Sequence, residues 1–146
     1  MAKVVAINVS KKKGQVKDSV EKAVFIENYG IEGDAHAGDW HRQVSLLATE
    51  SADKIRAQGL TEIRDGIFAE NITTEGIQLY DLKVGTRLKI GETIHEVTQI
   101  GKECHDRCNI YHTVGDCVMP REGIFTKVIK GGTVVPGDSI EIIEEK

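Results

Sequence analysis

The chain has 146 residues, 40% of them hydrophobic and 29% charged, with a formal net charge of −4. That is the length of one domain with a core of its own, expected as a single unit over residues 1–146. The acidic balance excludes a sequence-independent grip on nucleic acid, and no apolar run approaches the roughly 18 residues that a membrane span needs.

Met1 to Ser10 is a short alternating stretch without the charged leader and long apolar segment of a signal peptide. Within it Lys3 to Ser10 reads as a strand through Val4, Val5, Ile7 and Val9, and Ala23 to Glu27 reads as a second. Lys11 to Lys17, between them, reads as a basic, solvated loop. Tyr29 to Gly38 is glycine-rich and polar and is expected as an exposed loop. Arg42 to Leu47 is strand-like. A helix follows, with Thr49 as its cap, Ala52, Ile55 and Arg56 at helical spacing, and Gly59 at its end. Phe68 to Thr73 reads as a short strand.

The strongest strand signal runs from Val84 to Ile100. Leu88 and Ile90 alternate with Arg87 and Lys89, Gly91-Glu92 makes a turn, and Ile94 and Val97 continue the pattern. Ile124 to Ile129 and Ser139 to Ile143 complete the set around Gly131-Gly132. Val84 to Ile90 and Pro136 to Ile142 echo one another, each a glycine turn feeding an alternating strand. Roughly seven strands with one or a few short helices predict a mainly β fold, a closed or half-closed β-barrel.

Cys104, Cys108 and Cys117 are the only cysteines, an odd number crowded into one segment. A secreted disulfide framework spreads an even number along the chain, so the expectation is a reducing, cytoplasmic setting. Cys104 stands among Lys102, Glu103, His105, Asp106 and Arg107, in a loop expected at a sheet end. Cations lower a thiol's pKa and carboxylates oppose this, so both signs act on Cys104. It reads as a persulfide carrier or a ligand to a soft metal such as molybdenum. A zinc site of the three cysteines with His105 or His112, and plain burial of the thiols, are the competing readings.

Three polar segments can meet that cysteine. Gly33 to Ser45 holds Asp34, His36, Asp39 and His41, which could bind a metal, and Arg42, whose planar fork suits a phosphate. Gly66 to Thr73 holds Glu70 and Asn71, and an amide that donates and accepts suits a pterin edge. Arg121 stands in a turn before the Ile124 strand and adds a cation.

Taken in order, these segments resemble the MOSC family, named after the C-terminal domain of molybdenum-cofactor sulfurases. The resemblance rests on Gly30 to Asp34, His41 to Ser45, Gly66 to Thr73, the Cys104 segment, and Gly123 to Asp138. It implies a barrel like the β-barrel insert of pyruvate kinase. It also implies a domain that carries sulfur or binds a molybdenum–pterin cofactor, with Cys104 as the catalytic residue and metal ligand. Asn71, Arg42, Ser45, His41 and Arg121 are then the cofactor-binding candidates. Reduction of N-hydroxylated compounds at the same metal is the alternative activity, and a structural zinc module is the non-catalytic one. The implied partners are a cysteine desulfurase, which would bring its own pyridoxal phosphate, or proteins of molybdenum-cofactor biosynthesis. Glu103 stands where the family often has proline.

Overall fold

The computed structural model describes residues 2–11, 17–35, 37–57, 70–101 and 123–144. The strands are β1 (Lys3–Val9), β2 (Asp18–Val20), β3 (Ala23–Ile26), β4 (Gly30–Ile31), β5 (Val44–Ala48), β6 (Ile72–Glu75), β7 (Arg87–Ile90), β8 (Thr93–Ile100), β9 (Ile124–Lys130), β10 (Gly132–Val134) and β11 (Ile140–Glu144). One α-helix, α1 (Thr49–Arg56), starts at the residue expected to cap it, and Leu79–Asp81 forms a single 3-10 turn.

Eight strands form one sheet in the order β11-β7-β8-β9-β5-β6-β1-β2, and β10-β3-β4 form a second. The pairs are antiparallel except β5 with β6, which run parallel. A parallel pair needs a crossover, and α1 lies on this one. Apolar residues of both sheets share one core: Phe25, Ile31 and Val134 of the small sheet join Val44, Leu46, Ile72, Leu88, Ile90 and Val97 of the large one.

The expected closed or half-closed barrel is corrected here. The large sheet is open, with β11 and β2 as its ends. β1 pairs with β6 through Lys3, Val4, Ala6 and Ile7, and with β2 only through Ile7, Asn8 and Val9. The chain around its start meets the segment that leads into β11 through an isolated Lys3–Ser139 bridge and three backbone bonds, Val4 N–H to the Asp138 carbonyl, Gly137 N–H to the Val4 carbonyl and Ile140 N–H to the Ala2 carbonyl. These few bonds at one corner are not the continuous strand-to-strand ladder that closes a barrel, and β11 and β1 do not pair as strands. The single short α-helix among the described residues likewise takes the low end of the expected helix content.

The β7–Gly91-Glu92–β8 hairpin stands where alternation put it, with Leu88 and Ile90 buried and Lys89 exposed. The two echoing segments become neighbours, β11 against β7, pairing Ile140 with Ile90 and Ile142 with Leu88. Of the strand expected at Phe68 to Thr73, residues 68 and 69 lie outside the described residues, and β6 begins at Ile72. The loop expected at Tyr29 to Gly38 contains β4, whose Gly30 and Ile31 are buried against Phe25 and Ile26. Gly30 has φ +123°, and a Cβ there would stand 2.8 Å from the carbonyl oxygen of Gln43. Only glycine meets both conditions.

Of two buried polar groups, Lys17 and His95, the first departs from expectation. Lys17, the end of the run expected to be solvated, is fully buried; residues 12–16 lie outside the described residues. Its Nζ is 2.7 Å from Asp34 Oδ1 and donates to Ser10 Oγ at 3.1 Å, while Ser10 N–H donates to the same carboxylate at 3.1 Å. His95 also lies inside, because the buried face of β8 is Thr93, His95 and Val97. Its ring nitrogens are 2.8 Å from Thr93 Oγ1 and 3.1 Å from Thr126 Oγ1, and Phe25 packs edge-on at 5.2 Å. Burial lowers its pKa from the usual 6.5 to about 3, so the ring is neutral in the folded state.

Two outcomes are expected. Lys17→Met strands the Asp34 carboxylate and costs about 3–5 kcal/mol in urea unfolding, most of it recovered by adding Asp34→Leu. Between about pH 6.5 and pH 3 the unfolded chain binds a proton at His95 that the folded one refuses. Stability therefore falls as pH is lowered across that window, by up to about 1.4 kcal/mol per unit. His95→Gln removes this share of the slope in unfolding curves taken across the upper half of the window.

Candidate functional site

Two of the expected cofactor-binding residues, Ser45 and Asn71, fall along one row across the large sheet. Gln99 of β8 pairs with Phe125 of β9, and Phe125 pairs with Ser45 of β5. Asn71 stands beside Ser45, its backbone N–H donating to the Ser45 carbonyl at 2.9 Å, and Asn8 N–H of β1 donates to the Asn71 carbonyl at 2.6 Å. Ser19 of β2 ends the row opposite Asn8. Polar side chains thus recur across strands that are otherwise apolar at this depth.

Asn71 is fully buried. Its Oδ1 accepts from Ser45 N at 2.9 Å and from Ser45 Oγ at 3.2 Å, and its Nδ2 donates to the Asn8 carbonyl at 3.1 Å. The side chain therefore bridges β1 and β5 just before β6 begins. Glu70, also buried, accepts from Thr73 Oγ1 at 2.9 Å, and Asn8 Nδ2 reaches both the Glu70 carbonyl at 3.2 Å and Thr73 Oγ1 at 3.1 Å. The amide expected to face a pterin is engaged in joining strands.

Arg42, in the approach to β5, leans across β9. Its guanidinium carbon lies 5.3 Å from the Phe125 ring centre, and Nε donates to Gln99 Oε1 at 3.0 Å. Among the described residues its terminal amino groups make no hydrogen bond. A half-buried guanidinium fixed by its Nε and stacked on a ring presents a fork suited to a phosphate or carboxylate. His41 Nε2 lies 3.1 Å from the same Gln99 oxygen, its carbonyl accepts from Thr98 Oγ1, and its ring meets Trp40 edge-on. The structure therefore brings Ser45 and Asn71 together, and His41 and Arg42 together through Gln99.

The metal reading of Gly33 to Ser45 does not gather its ligands. Asp34 is paired with Lys17, Asp39 accepts from Asn28 Nδ2 at 3.3 Å, and His41 belongs to Gln99. No group of three or more His, Cys, Asp or Glu able to hold a metal occurs among the described residues. His36, the Cys104 segment with Cys108, Cys117, His105 and His112, and Arg121 lie outside the described residues. What is described is where that segment is rooted: β8 ends at Ile100 opposite Ile124 of β9, and Gly101 N–H donates to the Gly123 carbonyl at 2.7 Å.

Gln99, Asn8 and Gln43 are the residues that sequence reasoning missed. Gln43 is buried, with Oε1 accepting from Val128 N at 2.9 Å and Nε2 donating to Asn28 Oδ1 at 3.2 Å. A polar residue inside an apolar alternation was the available signal for Asn8. Nothing local marks Gln99, whose position depends on the irregular register between Val97 and Gln99.

Comparison with known proteins places this geometry. The pattern of the MOSC domain matches residues 32–141. No curated protein matches the chain. Among solved structures, the YuaD protein of Bacillus subtilis superposes with a TM-score of 0.80 at 21% identity, over 95% of this chain and 93% of that one. YiiM of Geobacillus stearothermophilus gives 0.75 at 19% identity, over 99% and 76%. YiiM of Escherichia coli gives 0.67 at 16% identity, over 99% and 71%. At such identities these structures share the fold.

Asn71→Ala leaves the Ser45 amide and the Asn8 carbonyl without their side-chain partner. The expected cost is about 2–3 kcal/mol in chemical denaturation, with faster amide exchange at Ser45 and Asn8.

Proposed function

The chain belongs to the MOSC domain family, and from that premise we propose that it binds a molybdenum–pterin cofactor or carries the sulfur destined for one. Cys104 is the thiolate ligand or persulfide carrier in this reading. Arg42, with His41 beside it, holds the phosphate of the pterin. Ser45 and Asn71 make the rigid floor beneath it, and Arg121 adds a second cation.

The carrying observation is the row of the sheet under Arg42. Gln99 fixes the guanidinium and stands two positions before Gly101, where the chain leaves β8 toward Cys104. Cys104 follows Gly101 by three positions, a reach of about 11 Å at full extension. The segment that carries Cys104 therefore leaves the sheet two residues after the side chain that anchors Arg42, which supports assigning the two to one site.

The residues present fit such a group in one respect that the structure itself supplies. Arg42 is stacked on Phe125 and anchored by Gln99, which fixes the guanidinium at little further entropic cost on binding. When bound, the cofactor would supply a molybdenum centre for oxygen or sulfur chemistry, and the thiolate of Cys104 is the soft donor that metal prefers. This chain's own part is to bind, orient and shield. As a carrier, it would receive sulfur at Cys104 from a cysteine desulfurase, whose pyridoxal phosphate belongs to that partner.

The test is intact mass and elemental analysis of freshly purified protein. Wild type is expected to carry added sulfur, or molybdenum with pterin, that Cys104→Ser loses while staying folded. Arg42→Ala is expected to lower pterin retention by about tenfold or more, since a charge-assisted pair is lost. Loading that survives Cys104→Ser would overturn the proposal.

A further inference from the structure

We infer that the cavity between the start of α1 and the end of β6 is a binding site for a small organic cation carrying N–H donors. The cavity holds about 400 Å³ and is lined by Ala48, Glu50, Gly76, Ile77, Gln78 and Tyr80 among others. That volume lies within the usual range for small-molecule sites.

The lining chooses the ligand's charge. Among the described residues Glu50 is the one charged side chain that lines it. Gly76 N–H donates to Glu50 Oε2 at 2.8 Å, which fixes the carboxylate at the cavity, and Oε1 makes no hydrogen bond among the described residues. Gln78 Nε2 donates to the Tyr80 hydroxyl, which ties these two lining side chains together. A carboxylate and an aromatic ring beside an apolar strip of Ala48 and Ile77 suit a cation with donors on a short carbon stem. The amino end of α1 would otherwise attract an anion, but Glu50 already occupies its first turn with negative charge.

The topology gives this site a place. Ala48 ends β5 and pairs with Thr74 of β6, while Leu46 pairs with Ile124, the first residue of β9. The carboxyl ends of β5 and β6, the end of β8 and the start of β9 therefore share one edge of the sheet. A cation bound here lies at the edge from which the Cys104 segment departs at Gly101 and returns at Gly123. The site goes beyond the cofactor reading and uses none of its residues.

The experiment is calorimetric titration of the full chain with methylguanidinium chloride, beside methyl phosphate at the same ionic strength. Methylguanidinium is expected to bind saturably, with amide shifts at Gly76 and Gln78 in parallel NMR spectra, and methyl phosphate is not. Glu50→Gln keeps an acceptor for the Gly76 N–H and is expected to fold, yet to weaken binding by about tenfold. Cys104→Ser is expected to bind as wild type does, so failure of the cofactor reading leaves this result untouched. Absence of saturation, equal affinity in Glu50→Gln, preference for methyl phosphate, or loss in Cys104→Ser would each overturn the inference.

Discussion

The side-chain amide of Asn71 is the contact on which the surroundings of the candidate site depend. It lies where the chain enters β6, the strand that runs parallel to β5 and antiparallel to β1. A parallel neighbour and an antiparallel neighbour demand different hydrogen-bond patterns at that entry, and backbone groups alone leave gaps. The amide fills them by accepting from Ser45 on one side and donating to Asn8 on the other. Because these groups are buried, each would be costly unpaired, so the three segments are held in one register.

Buried charge does comparable work at the neighbouring loop. Lys17 and Asp34 are both withdrawn from water and satisfied by one another and by Ser10. Such a pair adds little net stability against an apolar replacement, but it penalises every arrangement that separates its members. It ties the turn after β4 to the end of β1 and the start of β2. The Gly30 to Asp34 segment is thereby determined twice, by a glycine that cannot carry a side chain and by a carboxylate that cannot leave its lysine.

With that frame fixed, Arg42 and the roots of the Cys104 segment meet through Gln99. The amide oxygen of Gln99 receives Arg42 and His41 together, and its Nε2 donates to the Gly101 carbonyl at 2.8 Å. One side chain thus couples the cationic loop to the point where the cysteine-bearing segment leaves the sheet. Rigid strands supply the positions, and the chemistry belongs to the loops that spring from them.

The sequence by itself determined what depends on near neighbours. The β7–β8 hairpin, the buried Leu88 and Ile90, the start of α1 at Thr49 and the order of the family motifs were legible, because alternation, turn glycines and caps act over a few residues. The pairing of Ser45 with Asn71 was legible only as two separate candidates, and Gln99 was not legible at all. Tertiary structure alone decided that Lys17 is buried with Asp34, that His95 faces inward between two threonines, that β2, β4 and β10 form, and that the sheet stays open. Each of these depends on which distant strand a residue meets. A period-two pattern fixes which residues share a face, but the register and closure of the sheet fix what that face touches.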